Sequence, residues 1–416
     1  MSGTVSMPWM DKAPARALVA ALGAGGARVR FVGGCVRDAL IGREPVDIDL
    51  ATTEPPETVL GRLKAAGIKA VPTGLAHGTV TAVIDHEPYE VTTLRRDVAT
   101  DGRHAVVAYT DDWQADAERR DFTINAIYAD PDGALFDPVG GVADLAAQRV
   151  RFVGDPGRRI AEDYLRVLRY FRFHARFGGG MPDEAALAAC AAARDSLGRL
   201  SAERVAAELL KLLGLEDPMP GLGPMRATGV LAALVPEVVA PDRLVRLVAI
   251  EEDLGLADAV RRLGSLLPDA TAANGVGQRL KLSNADKARL VAMHALAPTI
   301  LPDMTVRAMR RWLHAVGSQG FADLVLLHWA AGTGHGDDAA WRTALSIGRS
   351  WTPQRLPVKG EDLVAAGMAA GPDVGVKLAE VERWWVDQDF RPDRAACLAE
   401  IKRLVATSGT ASEGQA

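Results

Sequence analysis

A chain of 416 residues, 48% hydrophobic and 24% charged, is long enough for roughly two to four domains and too apolar to be disordered. Its formal net charge of -5 excludes a global positive field, so a nucleic-acid partner has to be held by local basic patches. Cys35, Cys190 and Cys397 are widely spaced with no Cys-x-x-Cys pair, which argues against a disulfide framework or zinc site and fits a reducing cytoplasm; no apolar run is long enough to span a bilayer.

From the N-terminus, the apolar stretch Ala17 to Leu22, preceded by Asp11 and Lys12, predicts a small amphipathic helix ending at Gly23, Gly25 and Gly26, not a signal peptide. Apolar residues before Gly33 and around Asp47 predict two strands. Side chains alternate faces along a strand, so Asp47 and Asp49 project to one side while Ile48 points away. Two carboxylates in one small volume repel unless a cation sits between them, and hard oxygen ligands of this kind select Mg²⁺ or Mn²⁺ and suit phosphoryl transfer. The Gly33-Gly34 turn lets backbone amides approach a triphosphate, and Arg37 adds a charge-assisted contact. A glycine pair alone is a plain turn; the aspartates behind it raise the phosphate reading. Asp38 either orients Arg37 or caps the following helix. Residues 78–84 and 89–94 read as further strands, where Glu90 is either a third carboxylate for the metal pair or an exposed strand residue.

Further on, Arg119-Arg120-Asp121-Phe122-Thr123-Ile124-Asn125-Ala126 gathers two cations, a carboxylate and an amide around one apolar anchor. Asp121 is suited to accept from ribose hydroxyls and Arg120 to meet a phosphate oxygen; the plainer alternative is a salt bridge at a helix start. A helix over Ile160 to Arg169 is expected to set Asp163 and Arg166 three residues apart on one face. Asp163 would take the exocyclic amine of cytosine or adenine while Arg166 donates to the ring nitrogen. Uracil and guanine present the reverse pattern and would leave buried groups unpaired at about 1–3 kcal/mol each. The alternative is a surface ladder through Glu162, Arg166 and Arg169.

Up to about Val153 the pattern is mixed α/β, and from Arg158 onward it is helical, broken by Pro/Gly clusters at 218–224, 268–277 and 332–336, with 407–416 reading as a disordered tail. Cationic groups that suit RNA phosphates are Arg261-Arg262, Arg279 with Lys281, Lys287 and Arg289, and Arg307 with Arg310-Arg311, each also readable as a solvated helix face. Trp384-Trp385 is either a stacking surface or core.

In this order, Gly33-Gly34-x-Val36-Arg37-Asp38, Asp47-x-Asp49, Arg120 to Ala126, Asp137-Pro138-x-Gly140-Gly141-x-x-Asp144-Leu145 and Glu162-Asp163-x-x-Arg166-x-x-Arg169 closely resemble the class II, bacterial-type CCA-adding tRNA nucleotidyltransferases and their poly(A) polymerase relatives. The motifs cover roughly the first half of the chain, ending with a helix like Ser201 to Lys211 that in the family braces the base-reading helix; Pro357 to Leu363 with Gly371-Pro372 looks like the family's tail. The resemblance implies an α+β fold: a polymerase-β-like head with a mixed sheet (1–153), then a helical neck (154–216), body (217–336) and tail (337–416). It also implies that Asp47 and Asp49 hold two Mg²⁺ ions with Glu90 beside them. Gly33, Gly34 and Arg37 would seat the triphosphate; Asp121 and its neighbours Arg120 and Asn125 would hold the ribose; Asp163 with Arg166 would read the base, and Arg169 would also contact the nucleotide. The implied partners are CTP, ATP and the 3′ end of tRNA, with no protein partner or membrane.

Two departures narrow the resemblance. His294 is followed by Ala295 and His328 by Trp329, so the His-Asp signature of an added phosphohydrolase activity is not expected. Thr73 to Val80 stands where the tailing enzymes have a basic Arg-Phe-Arg-Leu-Ala-His-Val type segment, which favours tRNA repair. Residues 98–104 resemble the loop that CC-only enzymes lack, so addition of full CCA is expected, with A-only addition the alternative.

Overall fold

Four successive buried residues, Val29 to Val32, form the strand that anchors the head, and the chain reverses around it by glycine turns and short helices. The computed structural model describes residues 7–23, 26, 28–100, 105–239, 241–295, 304–332 and 338–412, the side chains at 97–100, 105–107 and 407–412 excepted. Residues 101–104, the centre of the loop expected at 98–104, lie outside the described residues.

Two units are separable. The first comprises Met1–Val238, Ala257–Ala259 and Arg279–Leu282. In chain order it runs α1 (Ala13–Gly23), β1 (Val29–Val32), α2 (Gly34–Leu40), β2 (Ile48–Thr52), α3 (Pro56–Ala65), β3 (Lys69–Gly74), β4 (Thr79–Ile84), β5 (Glu87–Thr93), β6 (Arg95–Thr100), β7 (Ala105–Tyr109), α4 (Trp113–Glu118), β8 (Tyr128–Ala129), β9 (Leu135–Phe136) and α5 (Gly141–Ala146). Helices α6 (Pro156–Glu162), α7 (Leu165–Phe177), α8 (Glu184–Ala193), α9 (Ala202–Leu213), α10 (Met219–Ala227) and α11 (Val230–Leu234) follow. The mixed-sheet head followed by helices is the architecture the sequence predicts.

The sheet order is β3-β4-β5-β2-β1-β8-β9, with β6 and β7 forming a separate hairpin. Among the described strands only β2 and β5 pair in parallel, Asp49 opposite Glu90 and Leu50 opposite Val91. The buried face carries Leu50, Val80, Ala82 and Val91 and is served by Val59 and Leu63 of α3, which packs on β3, β4 and β5.

Two expectations about breaks need correction. The break expected over 218–224 falls slightly earlier, between Leu213 and Met219: Pro218 is the N-cap of α10, which runs through 219–224 with Pro224 inside. Gly221 there serves close packing, since a Cβ on it would stand 2.3 Å from the carbonyl oxygen of Phe171 in α7. The helix expected over 160–169 does break, at Asp163, whose φ of -154° and ψ of 107° separate α6 from α7.

The second unit comprises Val239–Leu256, Val260–Gln278 and Ser283–Ala416. It is built mainly from α12 (Asp242–Leu254), α13 (Ala259–Ser265), α14 (Ala270–Arg279), α15 (Asn284–Ala295), α16 (Val306–Ala331), α17 (Asp338–Ser350), α18 (Gly360–Ala365), α19 (Pro372–Asp387) and α20 (Arg394–Ser412). The last three share a core of Val358, Leu363, Val381, Trp385, Cys397 and Ile401. Trp385 is therefore core, its indole N–H donating to the Pro392 carbonyl at 3.0 Å. Backbone helix continues to Ser412 where a disordered tail from Thr407 was the sequence expectation; 413–416 lie outside the described residues.

Arg261 and Arg262 are not an RNA-facing pair. Both are buried, Arg261 against Glu251 at 2.6 Å and Asp323 at 2.8 Å, Arg262 against Glu251 at 2.6 Å. Arg289 joins them through Asp323. The carboxylates that neutralise them lie 10 or more positions away, invisible to a reading of local charge. Arg279 and Lys281 pair with Glu237 and Glu203, and Arg310 and Arg311 with Asp389 and Asp387.

Candidate active site

The turn after β1 requires its glycine. Gly33 sits at φ +74°, a conformation that L side chains rarely adopt, and its N–H donates to the Ile127 carbonyl at 3.0 Å, tying the turn to the strand β8 region. A side chain there would also meet the Arg120 guanidinium at 3.4 Å. Arg37, one helical turn on, is buried; Asp38 orients it through Nε at 2.8 Å, which settles the open choice for Asp38. Burial pulls the Arg37 guanidinium below its usual value, with Asp38 opposing.

From Arg37 a hydrogen-bonded chain crosses the head. Arg37 donates to Asn125 Oδ1; Asn125 donates through Nδ2 to Asp121 Oδ1 at 3.0 Å; Asp121 Oδ2 accepts from Arg169 Nε at 2.8 Å and Nη2 at 2.5 Å. Arg169 faces Glu208 of α9 at 4.0 Å, and Glu208 holds Arg172 at 2.6 Å. Burial would raise the Asp121 carboxyl, but Arg169, Asn125 and the Phe122 N–H bring it down to about 2.

Arg120 is anchored by Asp116, with Nη2 to Oδ2 at 3.2 Å, and by the Tyr128 hydroxyl at 3.2 Å. Asp116 is buried and also holds Arg119 at 2.7 Å. Sequence reasoning missed Asp116, although its spacing of three and four from the two arginines is a helical-face signal. Gly141 and Val142 of α5 donate their N–H groups to Asp137 at 2.7 and 2.9 Å, and buried Asp144 accepts from the Thr123 hydroxyl at 2.6 Å. That fixes the turn bearing Asn125.

Asp163 and Arg166 lie on either side of the helix break, not on one face of a continuous helix. Asp163 Oδ1 caps the Leu165 N–H at 3.1 Å and Oδ2 accepts from Arg204 of α9 at 2.7 Å. Arg166 Nη1 donates to Glu162 at 2.6 Å and to the Arg159 carbonyl at 2.7 Å. Arg159 in turn donates to Glu162 and to the carbonyls of Arg119 and Arg120, so this group is tied to the same loop as Asp121. Asp163 keeps lone pairs and Arg166 its Nε donor outside these bonds. The Glu162–Arg166 pair of the alternative ladder exists; Arg169 leaves it for Asp121.

Asp49 and Glu90 are register partners and so share a face, Glu90 exposed and Asp49 half-buried, while exposed Asp47 lies just before β2. Burial, then Glu90 and Asp47, push the Asp49 carboxyl up to about 6, with Arg120 opposing. A half-buried carboxylate flanked by two more carboxylates fits a hard divalent cation. Among the described residues no three His, Cys, Asp or Glu side chains converge as a metal cage.

Residues 29–151 match the model of the poly A polymerase head domain, and residues 182–240 that of a probable RNA and SrmB-binding site of polymerase A. The chain is 33% identical over 393 residues to the mitochondrial CCA tRNA nucleotidyltransferase 1 of Mus musculus, covering 90% of this chain and 86% of the relative. It is 30% identical over 407 residues to the CCA-adding enzyme of Limosilactobacillus fermentum, covering 94% and 97%. A solved structure of the Bacillus stearothermophilus CCA-adding enzyme in complex with CTP superposes with a TM-score of 0.79 at 27% identity, over 96% of this chain and 99% of that one. With the head's glycine turn, paired carboxylates and braced loop in view, the chain belongs to the CCA-adding tRNA nucleotidyltransferases.

Proposed function

We propose that this protein adds C, C and A in turn to the 3′ end of tRNA from CTP and ATP without a nucleic-acid template. The observation that carries the reading is the Arg37–Asn125–Asp121–Arg169 chain running beside the Asp49–Glu90 pair. It suits a bound nucleoside triphosphate: the Gly33-Gly34 turn and Arg37 toward phosphates, Arg120, Asp121 and Asn125 toward sugar and phosphate, Asp163, Arg166 and Arg169 toward the base. Two Mg²⁺ ions, or Mn²⁺, held by Asp47 and Asp49 with Glu90 adjacent, would supply charge neutralisation at the phosphates and an acidified 3′-hydroxyl. The side chains orient the triphosphate for in-line displacement of pyrophosphate by that hydroxyl, and no covalent enzyme intermediate is needed.

Base choice follows from donor and acceptor order. A free lone pair on Asp163 accepts an exocyclic amine and Arg166 donates to a ring nitrogen, a pattern shared by cytosine and adenine. We assign head to 1–153, neck to 154–216, body to 217–336 and tail to 337–416; the start of the helical stretch at α6 supports the first limit, and the separate core of α18 to α20 supports a distinct tail. Among the described residues no helix is long and apolar enough to cross a membrane, and three buried free cysteines support a reducing compartment such as the cytoplasm.

Purified protein, Mg²⁺, each single NTP and tRNA truncated before its CCA test the reading. Product ladders are expected to stop after C, C and A. An open-ended A ladder would replace the reading with poly(A) tailing, and addition of A only to tRNA already ending in CC would restrict it to A addition.

A further inference from the structure

The sheet presents two faces: α3 packs one, while on the other Ala51 of β2 joins a core with Leu94, Trp113 and Tyr128 and the strands beyond it carry exposed residues. Leu50, Val80, Ala82 and Val91 are buried on the α3 side. On the other face the registers line up Asp49 with Glu90, Glu90 with Thr81, and Thr81 with Val71; two residues along, Ala51 aligns with Thr92 and Thr92 with Thr79. A register irregularity between Val71 and Gly74 brings the Thr73 hydroxyl to 2.7 Å from that of Thr81, and the Thr79 and Thr92 hydroxyls stand 3.1 Å apart. Glu90, Thr73, Val71 and Lys69 on this face are exposed.

Strand order gives this face a direction. The groups suited to the triphosphate hang from the β1 and β8 side of the carboxylates, whereas the hydroxyl-bearing strands β5, β4 and β3 extend from the opposite side. An attacking hydroxyl has to arrive opposite the leaving group, so the acceptor strand enters from the side the triphosphate does not use. In each threonine pair one hydroxyl hydrogen and several lone pairs remain outside the pair's own bond, matching a ribose 2′-hydroxyl, which both donates and accepts. Lys69 lies at the outer strand, where a phosphate of the same RNA strand would pass.

We propose that this face, through exposed Thr73, which buried Thr81 backs, and half-buried Thr79 and Thr92, seats the single-stranded 3′ end of the RNA acceptor and positions its terminal hydroxyl at the Asp49–Glu90 pair. The inference rests on the tRNA-extending reading and adds the path of the RNA to it. These threonines are positioning residues, and they read ribose, not base.

Thr73→Val and Thr92→Val, alone and together, remove hydroxyls while keeping shape and strand preference. Initial rates of CTP addition are measured against tRNA concentration, using an all-ribose 3′ end and one with 2′-deoxy sugars at the two residues before the terminal one. The double variant is expected to raise KM for tRNA about five- to tenfold, as the loss of one or two hydrogen bonds implies, with KM for CTP and kcat within about twofold. The deoxy substitution is expected to weaken wild type and to weaken the double variant distinctly less. An unchanged KM for tRNA, a raised KM for CTP instead, or a deoxy effect of equal size in both proteins overturns the inference. Wild-type protein that fails to extend tRNA overturns the functional reading itself; wild type that extends tRNA while the variants match it overturns only the seat.

Discussion

Asp47 is exposed at the start of β2 and bonds to no neighbour that its removal would strand, so its loss should be felt in chemistry and not in folding. Asp47→Ala is expected to lower kcat by about 10³-fold or more, the several kcal/mol that charge stabilisation at a reacting phosphate supplies, with tRNA retention on filters and thermal midpoint nearly unchanged. Undiminished turnover would remove Asp47 from the site. Asp121 has the opposite character, because its carboxyl is held at about 2 by Arg169. Its folded value lies below the ordinary 3.8, so its contribution is whole above about pH 4 and is lost as pH falls toward 2. Roughly 2 kcal/mol of stability should disappear across that window, read by urea unfolding at stepped pH. In Arg169→Gln the same acid limb should be shallower; equal limbs would refute the assignment. At this scale the sequence was legible for residue types and spacings: Gly33, Arg37, Asp49 and Asp121 were singled out by local pattern. The partners were not, because Arg169, Arg204 and Glu208 reach them across tens of residues.

Helix α5 begins so close to the 123–125 turn that a Cβ on Gly141 would lie 2.1 Å from the Thr123 carbonyl oxygen. Since neither partner is a flexible side-chain end, Gly141→Ala has to displace the turn that carries Asn125. A destabilisation of about 1–3 kcal/mol by denaturant unfolding is expected, together with a raised KM for CTP. Wild-type values for both would show that the turn relaxes without consequence. Strands and helices themselves follow period-two and three-to-four patterns that the sequence displays. Their interruptions are harder to read. Asp163 looks helical in sequence, yet its carboxylate caps the next helix and takes Arg204, and those two bonds favour an extended backbone there. The Pro/Gly-rich 218–224 looks like a loop, yet tight contact with α7 makes glycine the residue that fits.

Much of the charge at the scale of the whole protein is held in ion pairs. Arg261, Arg262 and Arg289 are neutralised around Glu251 and Asp323, and Arg279, Lys281, Arg310 and Arg311 each face a carboxylate. With these cations committed and a net charge of -5, the fall in tRNA affinity between about 50 and 200 mM salt is expected to stay below the ~10³-fold typical of six or more phosphate contacts. Equilibrium binding at the two salt concentrations decides it, and a steeper fall would mean that these pairs open to RNA. Local charge runs in the sequence gave no sign of this, since pairing is a property of the folded arrangement. The parallel pairing of β2 with β5 has a temporal side as well. Its partners are contributed by stretches 41 residues apart, and Asp121 in the loop beside them is held by Arg169, so a ribosome would have to release a large part of the first half of the polypeptide before any acceptor could be extended. A truncated translation product therefore stays inert toward the cell's RNA pool.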